Sequence, residues 1–116
     1  MKTELLKSEI TRKSISKFFK EILNYNFLSS TKSKYAMASG NYNFYFLTNS
    51  LKIEMKKSII SFSIDYDDIE RIELYIGEDG ELYLQIDIDN GVYVIFNAAG
   101  AGIELKDEVK EALYNE

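Results

Sequence analysis

From Tyr42 to Phe96, apolar and polar residues alternate in one short run after another. Tyr42, Phe44 and Phe46 alternate with Asn41, Asn43 and Tyr45, and Leu51, Ile53 and Met55 with Lys52, Glu54 and Lys56. Ile60, Phe62 and Ile64 alternate with Ser61, Ser63 and Asp65. Ile72, Leu74 and Ile76 follow, then Leu82, Leu84, Ile86 and Ile88, then Val92, Val94 and Phe96, with acids and tyrosines between them. Successive side chains of a strand point to opposite faces, so this period predicts half-buried antiparallel strands. The chain has no proline to remove a ladder hydrogen bond. Six to seven short strands are expected between residues 35 and 97.

The connections agree with that reading. Asn49-Ser50 and Lys56-Lys57 separate neighbouring runs, and Gly77-Glu78-Asp79-Gly80 makes another turn. At Asp89-Asn90-Gly91 the faces decide the loop length. A two-residue loop of Asn90 and Gly91 would set Asp89 opposite Val92, an outward residue against an inward one. A three-residue loop with Gly91 in the left-handed region pairs Ile88 with Val92, Ile86 with Val94 and Leu84 with Phe96. It also pairs Asp87 with Tyr93 and Gln85 with Ile95.

The flanks read as helices. Over Leu5 to Leu23, Ile15, Phe18, Phe19 and Ile22 share one face, and Lys13, Lys17 and Lys20 project from the other. Leu6 and Ile10 lie off that stripe, so a break or new cap falls near Thr11 to Ser14. Ser29 to Lys34 is polar and reads as a surface loop. Over Ile103 to Asn115, Leu105, Val109, Ala112 and Leu113 form a stripe, with Glu104, Asp107 and Glu108 where the helix dipole favours acids. The expectation is a single α+β domain over residues 1–116. It comprises an N-terminal helix (1–24), a curved antiparallel sheet or partly closed barrel (35–97) and a C-terminal helix (103–115).

What the chain lacks limits its chemistry. Among 116 residues there is no Cys and no His. That excludes disulfides, thiolate zinc sites, Ser-His-Asp and Cys-His catalysis and histidine metal sites. No cofactor and no enzymatic activity are expected. Met1 to Ile10 is polar, with no run resembling a signal peptide, and no stretch approaches about 18 apolar residues. A cytoplasmic protein without stable membrane insertion is therefore expected. Heavy use of Lys, Ile, Asn and Tyr resembles the coding bias of an AT-rich bacterium or its phages.

Charge is divided along the chain. Residues 1–57 carry eleven Lys/Arg against four Asp/Glu, or +7; residues 58–116 carry three against fifteen, or −12; together these give the formal −5. Such a split speaks about partners or self-docking. On the basic side are Lys13, Lys17 and Lys20, with Lys32, Lys34, Lys52, Lys56 and Lys57. They read as solvated lysines partly drawn to the acidic half, and no motif supports direct nucleic-acid binding.

The acidic stretch runs from Asp65 to Asp89. As a calcium loop, Asp87 to Gly91 has its glycine one position early and Ala98 where a bidentate Glu belongs. As a catalytic carboxylate pair, the acids alternate along strands without a cleft. Asn97 to Gly102 lacks the third glycine of a dinucleotide fingerprint and reads as a tight small-residue connection. The outward positions of the last strands are more specific. There Glu73, Tyr75, Tyr83, Asp87, Asp89, Tyr93 and Ile95 share one face. Tyrosine offers large contact area at low entropic cost, so this face suits a protein partner with a basic surface. Two alternatives compete with it: a solvated acidic face, and a face covered by the N-terminal helix.

The run from Ser61-Phe62-Ser63-Ile64 through Asp68 to Leu74, with Asp89-Asn90-Gly91 and a helix over Glu104 to Leu113, resembles the order of a pleckstrin-homology or GRAM-type barrel. That resemblance implies an adaptor that binds peptide or membrane lipid. In size and charge the chain is similar to anti-CRISPR and other anti-defence proteins and to toxin-immunity proteins. The leading expectation is a non-catalytic inhibitor, of bacterial or phage origin. It would use its acidic tyrosine-bearing face to block a basic or nucleic-acid-binding surface of a partner protein. A homodimer stays open as an alternative.

Overall fold

The computed structural model describes residues 1–28 and 35–115. The Ser29 to Lys34 loop, with Lys32 and Lys34, lies outside the described residues. In chain order the elements are β1 (Glu4–Leu6), a 3-10 turn (Lys7–Glu9), α1 (Arg12–Ile22), β2 (Asn26–Phe27), β3 (Ala36–Ser39), β4 (Tyr42–Phe46), β5 (Ser50–Met55) and β6 (Ser61–Asp65). A second 3-10 turn (Tyr66–Asp68) leads to β7 (Ile69–Ile76), β8 (Leu82–Ile88), β9 (Val92–Asn97), α2 (Ala98–Ala101) and α3 (Asp107–Tyr114).

The fold is α+β, as the alternation predicts, but the strands form two antiparallel sheets rather than one curved sheet or partly closed barrel. One sheet has the order β2-β3-β4-β5-β6 and the other β1-β7-β8-β9. The division falls at the Tyr66–Asp68 turn, where β6 and β7 fail to pair although they are neighbours in sequence. Tyr66 anchors that turn: it is buried, its N–H donates to Asn49 O (3.0 Å) and its hydroxyl donates to Leu47 O (2.7 Å). The chain is thereby redirected, and the inward rows of both sheets meet in one core that includes Phe44, Phe46, Leu51, Ile53, Ile72, Leu74, Leu84 and Ile86.

Burial pushes the Tyr66 phenol up to about 12. Its ordinary value near 10 applies in the unfolded chain, so the neutral form favours the fold. This stability is complete below pH 10 and is lost as pH rises from 10 through 12. A two-unit shift corresponds to roughly 2–3 kcal/mol. Urea midpoints measured between pH 9 and 12 should fall steeply for the native chain and less steeply for Tyr66→Phe. Identical slopes would rule this out.

The N-terminal segment departs from the helix expected over 1–24. Residues 4–6 form an edge strand, with Leu5 buried opposite Ile72 and Glu4 and Leu6 facing outward. Leu6 and Ile10 miss the helical stripe for this reason. The helix starts at Arg12, after Thr11, whose hydroxyl accepts from Ser14 N while Ser14 Oγ accepts from Thr11 N. This reciprocal cap satisfies two N–H groups. Ile15, Phe18, Phe19 and Ile22 are buried as the stripe predicts. Phe19 meets Phe44 and Phe46 edge-to-face at 5.2 and 5.5 Å.

The helix expected over 103–115 is likewise shorter. Asn97 to Gly102 forms a single capped turn, with Asn97 Oδ1 accepting from Gly100 N and Gly102 left-handed. Ile103 and Leu105 are buried in extended chain, Leu105 bridging Leu23, and Lys106 N donates to Ile22 O at the end of α1. Helix α3 begins only at Asp107. Nearby, the buried Ser39 hydroxyl lies 2.9 Å from the carbonyls of both Asn24 and Glu104, joining three distant segments.

An open acidic and tyrosine face

The four-stranded sheet presents one face to the core and one outward. Its register sets three outward rows across the strands: Leu6–Arg71–Asp87–Tyr93, Glu4–Glu73–Gln85–Ile95, and Tyr75–Tyr83–Asn97. The β8–β9 pairing is the one derived from the three-residue loop, with Ile88 opposite Val92 and Asp87 opposite Tyr93. Gly91 is left-handed as expected, and Asn90 adopts the same region.

Strand alternation with Glu73 and Tyr75 sets Arg71 on this face, and a bulge in β7 lies just before it. Ile69 pairs with Ile88 and Arg71 with Asp87, so Glu70 has no partner across the strand pair. The extra residue shifts the phase, which lets Ile69 and Ile72 both point inward at a spacing of three. Glu70 instead reaches Lys7 at 3.3 Å, and Asp89 reaches the same ammonium at 3.7 Å. Asp89 therefore sits at the turn end of the sheet, held by Lys7. The other six expected face residues, Glu73, Tyr75, Tyr83, Asp87, Tyr93 and Ile95, fall in the three rows.

Hydrogen bonds link the polar members. Arg71 donates through Nε and Nη2 to Glu4 Oε2 (3.0 and 2.6 Å), and its Nη2 lies 3.0 Å from Glu73 Oε1. The bond to Glu4 and the charges of Glu73 and Asp87 raise the guanidinium pKa further. Tyr75 donates to Gln85 Oε1 and Gln85 Nε2 to Asp87 Oδ1, both at 2.7 Å. The Tyr75 and Tyr83 rings stack with centroids 5.7 Å apart. Tyr83 donates to Asp79, which raises the phenol and lowers the carboxyl. Burial raises the Tyr75 phenol, and Glu73 and Asp87 add to the effect. These side chains hold one another in place across the sheet.

The N-terminal helix does not cover this face. It packs through Phe19 on the five-stranded sheet, while Leu6, Tyr93 and Ile95 are 47%, 59% and 44% exposed. Nor do the α1 lysines dock on the acids: Lys17 lies 4.0 Å from Glu21 of its own helix, and Lys20 lies over the Phe27 ring. Among the described residues, the ion pairs that join the two charge halves run from Lys7 to Glu70 and Asp89 and from Arg71 to Glu4. Sequence reasoning missed Glu4 and Leu6, because they were assigned to a helix, and Arg71 as an organising group. Arg71 stands two positions before Glu73, so the alternation that found Glu73 and Tyr75 was also the signal for it.

Among the described residues, no group of three or more acids is placed to hold a metal ion, and no helix is long and apolar enough to cross a membrane. A depression of about 530 Å³ lies elsewhere, between the start of β8 and the C-terminal segment, with Glu81, Glu104, Asp107 and Lys110 on its walls.

Fold and face together define a small α+β protein whose four-stranded sheet has an open, internally hydrogen-bonded outer face. Compared with known proteins, the chain matches no family model, no curated protein and no solved structure.

Proposed function

We propose that this is a non-catalytic, cytoplasmic protein-binding inhibitor that lays its four-stranded sheet face on a basic surface of a partner protein, in the manner of anti-defence or immunity proteins of bacterial or phage origin. The supporting observation is the juxtaposition of exposed Leu6, Tyr93 and Ile95 with the carboxylates of Glu73 and Asp87 on one uncovered sheet face. Apolar anchors supply contact area, and the acids steer a basic partner and set its orientation. Arg71 sharpens the reading: it neutralises much of the charge of Glu4 and Glu73, so Asp87 is the carboxylate left to a partner's cation.

A second reading, an adaptor of pleckstrin-homology or GRAM shape that binds lipid, draws on the β5–β6 hairpin tip. There Ile59 is 102% exposed beside Lys56 and Lys57. Against it, the apolar stripe of α1 is already used in the core.

One experiment separates the two. Bacterial lysate proteins captured by the native chain should be lost at least tenfold with Asp87→Lys and should be displaced by added nucleic acid. Capture that Asp87→Lys leaves intact would overturn the inhibitor reading. Sedimentation with anionic vesicles, abolished by Ile59→Ser, would favour the lipid reading in its place.

A further inference from the structure

The two sheets have four edges, and three of them are poor templates for another strand. β1 has three residues and carries Glu4, β2 has two, and β6 alternates serines with apolar residues and ends in Asp65. The fourth, β9, reads Val-Tyr-Val-Ile-Phe-Asn: six residues, strongly β-forming, with no charge and no proline. Natural sheets blunt such edges with charge, proline, bulges or cover. Here Val92, Tyr93 and Ile95 are exposed, and among the described residues no backbone hydrogen bond runs from Val92–Phe96 to anything beyond β8.

We infer that a second copy of this chain pairs its β9 antiparallel with this edge, with Val94 opposite the Val94 of the partner copy on the two-fold axis. The strand is self-complementary about that residue. Tyr93 then faces the partner's Ile95 on the outer side, and Val92 faces the partner's Phe96 on the inner side. Each is an aromatic or β-branched cross-strand pair, the kind that stabilises sheets most. The same contacts recur in reverse across the axis, as an isologous interface requires. The result is one eight-stranded sheet.

Charge permits this. The row through Asp87 and Tyr93 continues into the partner's Ile95 and Gln85, so two uncharged strands separate Asp87 from the partner's nearest strand of acids. Three strand spacings amount to about 14 Å, beyond a Debye length of about 8 Å at physiological salt. Between low and physiological salt, screening of the two net-negative copies therefore strengthens the dimer, whereas it weakens docking of a basic strand on the same edge. The contact is a single pair of six-residue strands, so association is weak and the dimer fraction rises with concentration.

The chain has no cysteine, which makes the geometry directly testable. Under mild oxidation, Val94→Cys should give a disulfide-linked dimer, and Val92→Cys should not, because residue 92 lies opposite residue 96. Sedimentation of the native chain should show dimer growing with concentration and with salt, and Ile95→Lys should leave a monomer. Native protein that stays monomeric up to roughly 500 μM in 0.15 M salt, or equal cross-linking at 92 and 94, would overturn the inference. The sedimentation result stands whether or not the cysteine variants fold.

Discussion

Gly40→Ala should lower the unfolding free energy by about 3–5 kcal/mol, a large share of what a chain of this size has. Two effects combine at this residue. Gly40 has φ +54°, where a side chain is strained, and a Cβ built there would stand 1.6 Å from the carbonyl oxygen of Gly102. That carbonyl is fixed, since it accepts the Asn41 N–H at 2.8 Å. The neighbouring Ser39 hydroxyl meanwhile ties the same loop to Asn24 and Glu104. The clash sets a Cβ against a backbone oxygen, so no rotamer change relieves it, and the β3–β4 turn has to separate from the C-terminal segment. Gly80→Ala is the control: φ is +80° but nothing lies within 4 Å, so backbone strain alone applies, about 1 kcal/mol. Urea unfolding of the two variants measures the difference. Equal losses would show that the close approach to Gly102 carries no stability.

Phe19→Ala should cost a similar 3–5 kcal/mol. Phe19 is fully buried and is the ring through which α1 meets Phe44 and Phe46 of β4. Truncation removes the transfer energy of the ring and two edge-to-face contacts, and it leaves a cavity between two rigid elements that cannot easily close. Phe19→Leu retains most of the volume and should cost about half as much. Phe27→Ala, at an exposed ring, should change stability by about 1 kcal/mol or less. If denaturant unfolding placed Phe19→Ala with Phe27→Ala, the helix would not be held through this ring.

The parts of the fold that were legible before the structure are those governed by neighbours in sequence. The β8–β9 register followed from parity alone, because only a three-residue loop keeps Ile88 and Val92 on the same side. The buried stripe of α1 followed from helical spacing. The outward placement of Glu73, Tyr75, Tyr83, Asp87, Tyr93 and Ile95 followed from strand alternation. The errors share a cause. Glu4 to Leu6 is too short for a period of two to be distinguished from a helical one, and it becomes a strand because the β7 edge supplies its hydrogen bonds. Ile103 and Leu105 look helical with Val109 but are extended, since the end of α1 accepts the Lys106 N–H. β3, buried on both faces, shows no alternation to read.

The +7/−12 division of charge shows the same boundary. By itself the sequence determined which residues alternate, which therefore share a face, and that the acids and tyrosines of the last three strands lie together. Those properties are local, set by the geometry of one strand and one turn. Whether that face is open, what organises it and where the sheet divides depended on contacts between distant segments. Helix α1 settles on the five-stranded sheet because Phe19 finds Phe44 and Phe46 there, which leaves the other sheet's outer face uncovered. Arg71 meets Glu4 across 67 positions because β1 adds itself to the β7 edge. Tyr66, by bonding back to Leu47 and Asn49, turns the chain where one curved sheet or partly closed barrel was expected, giving two sheets over a shared core. Each of these decisions rests on a long-range contact whose energy depends on the rest of the fold being in place, and no local pattern encodes that.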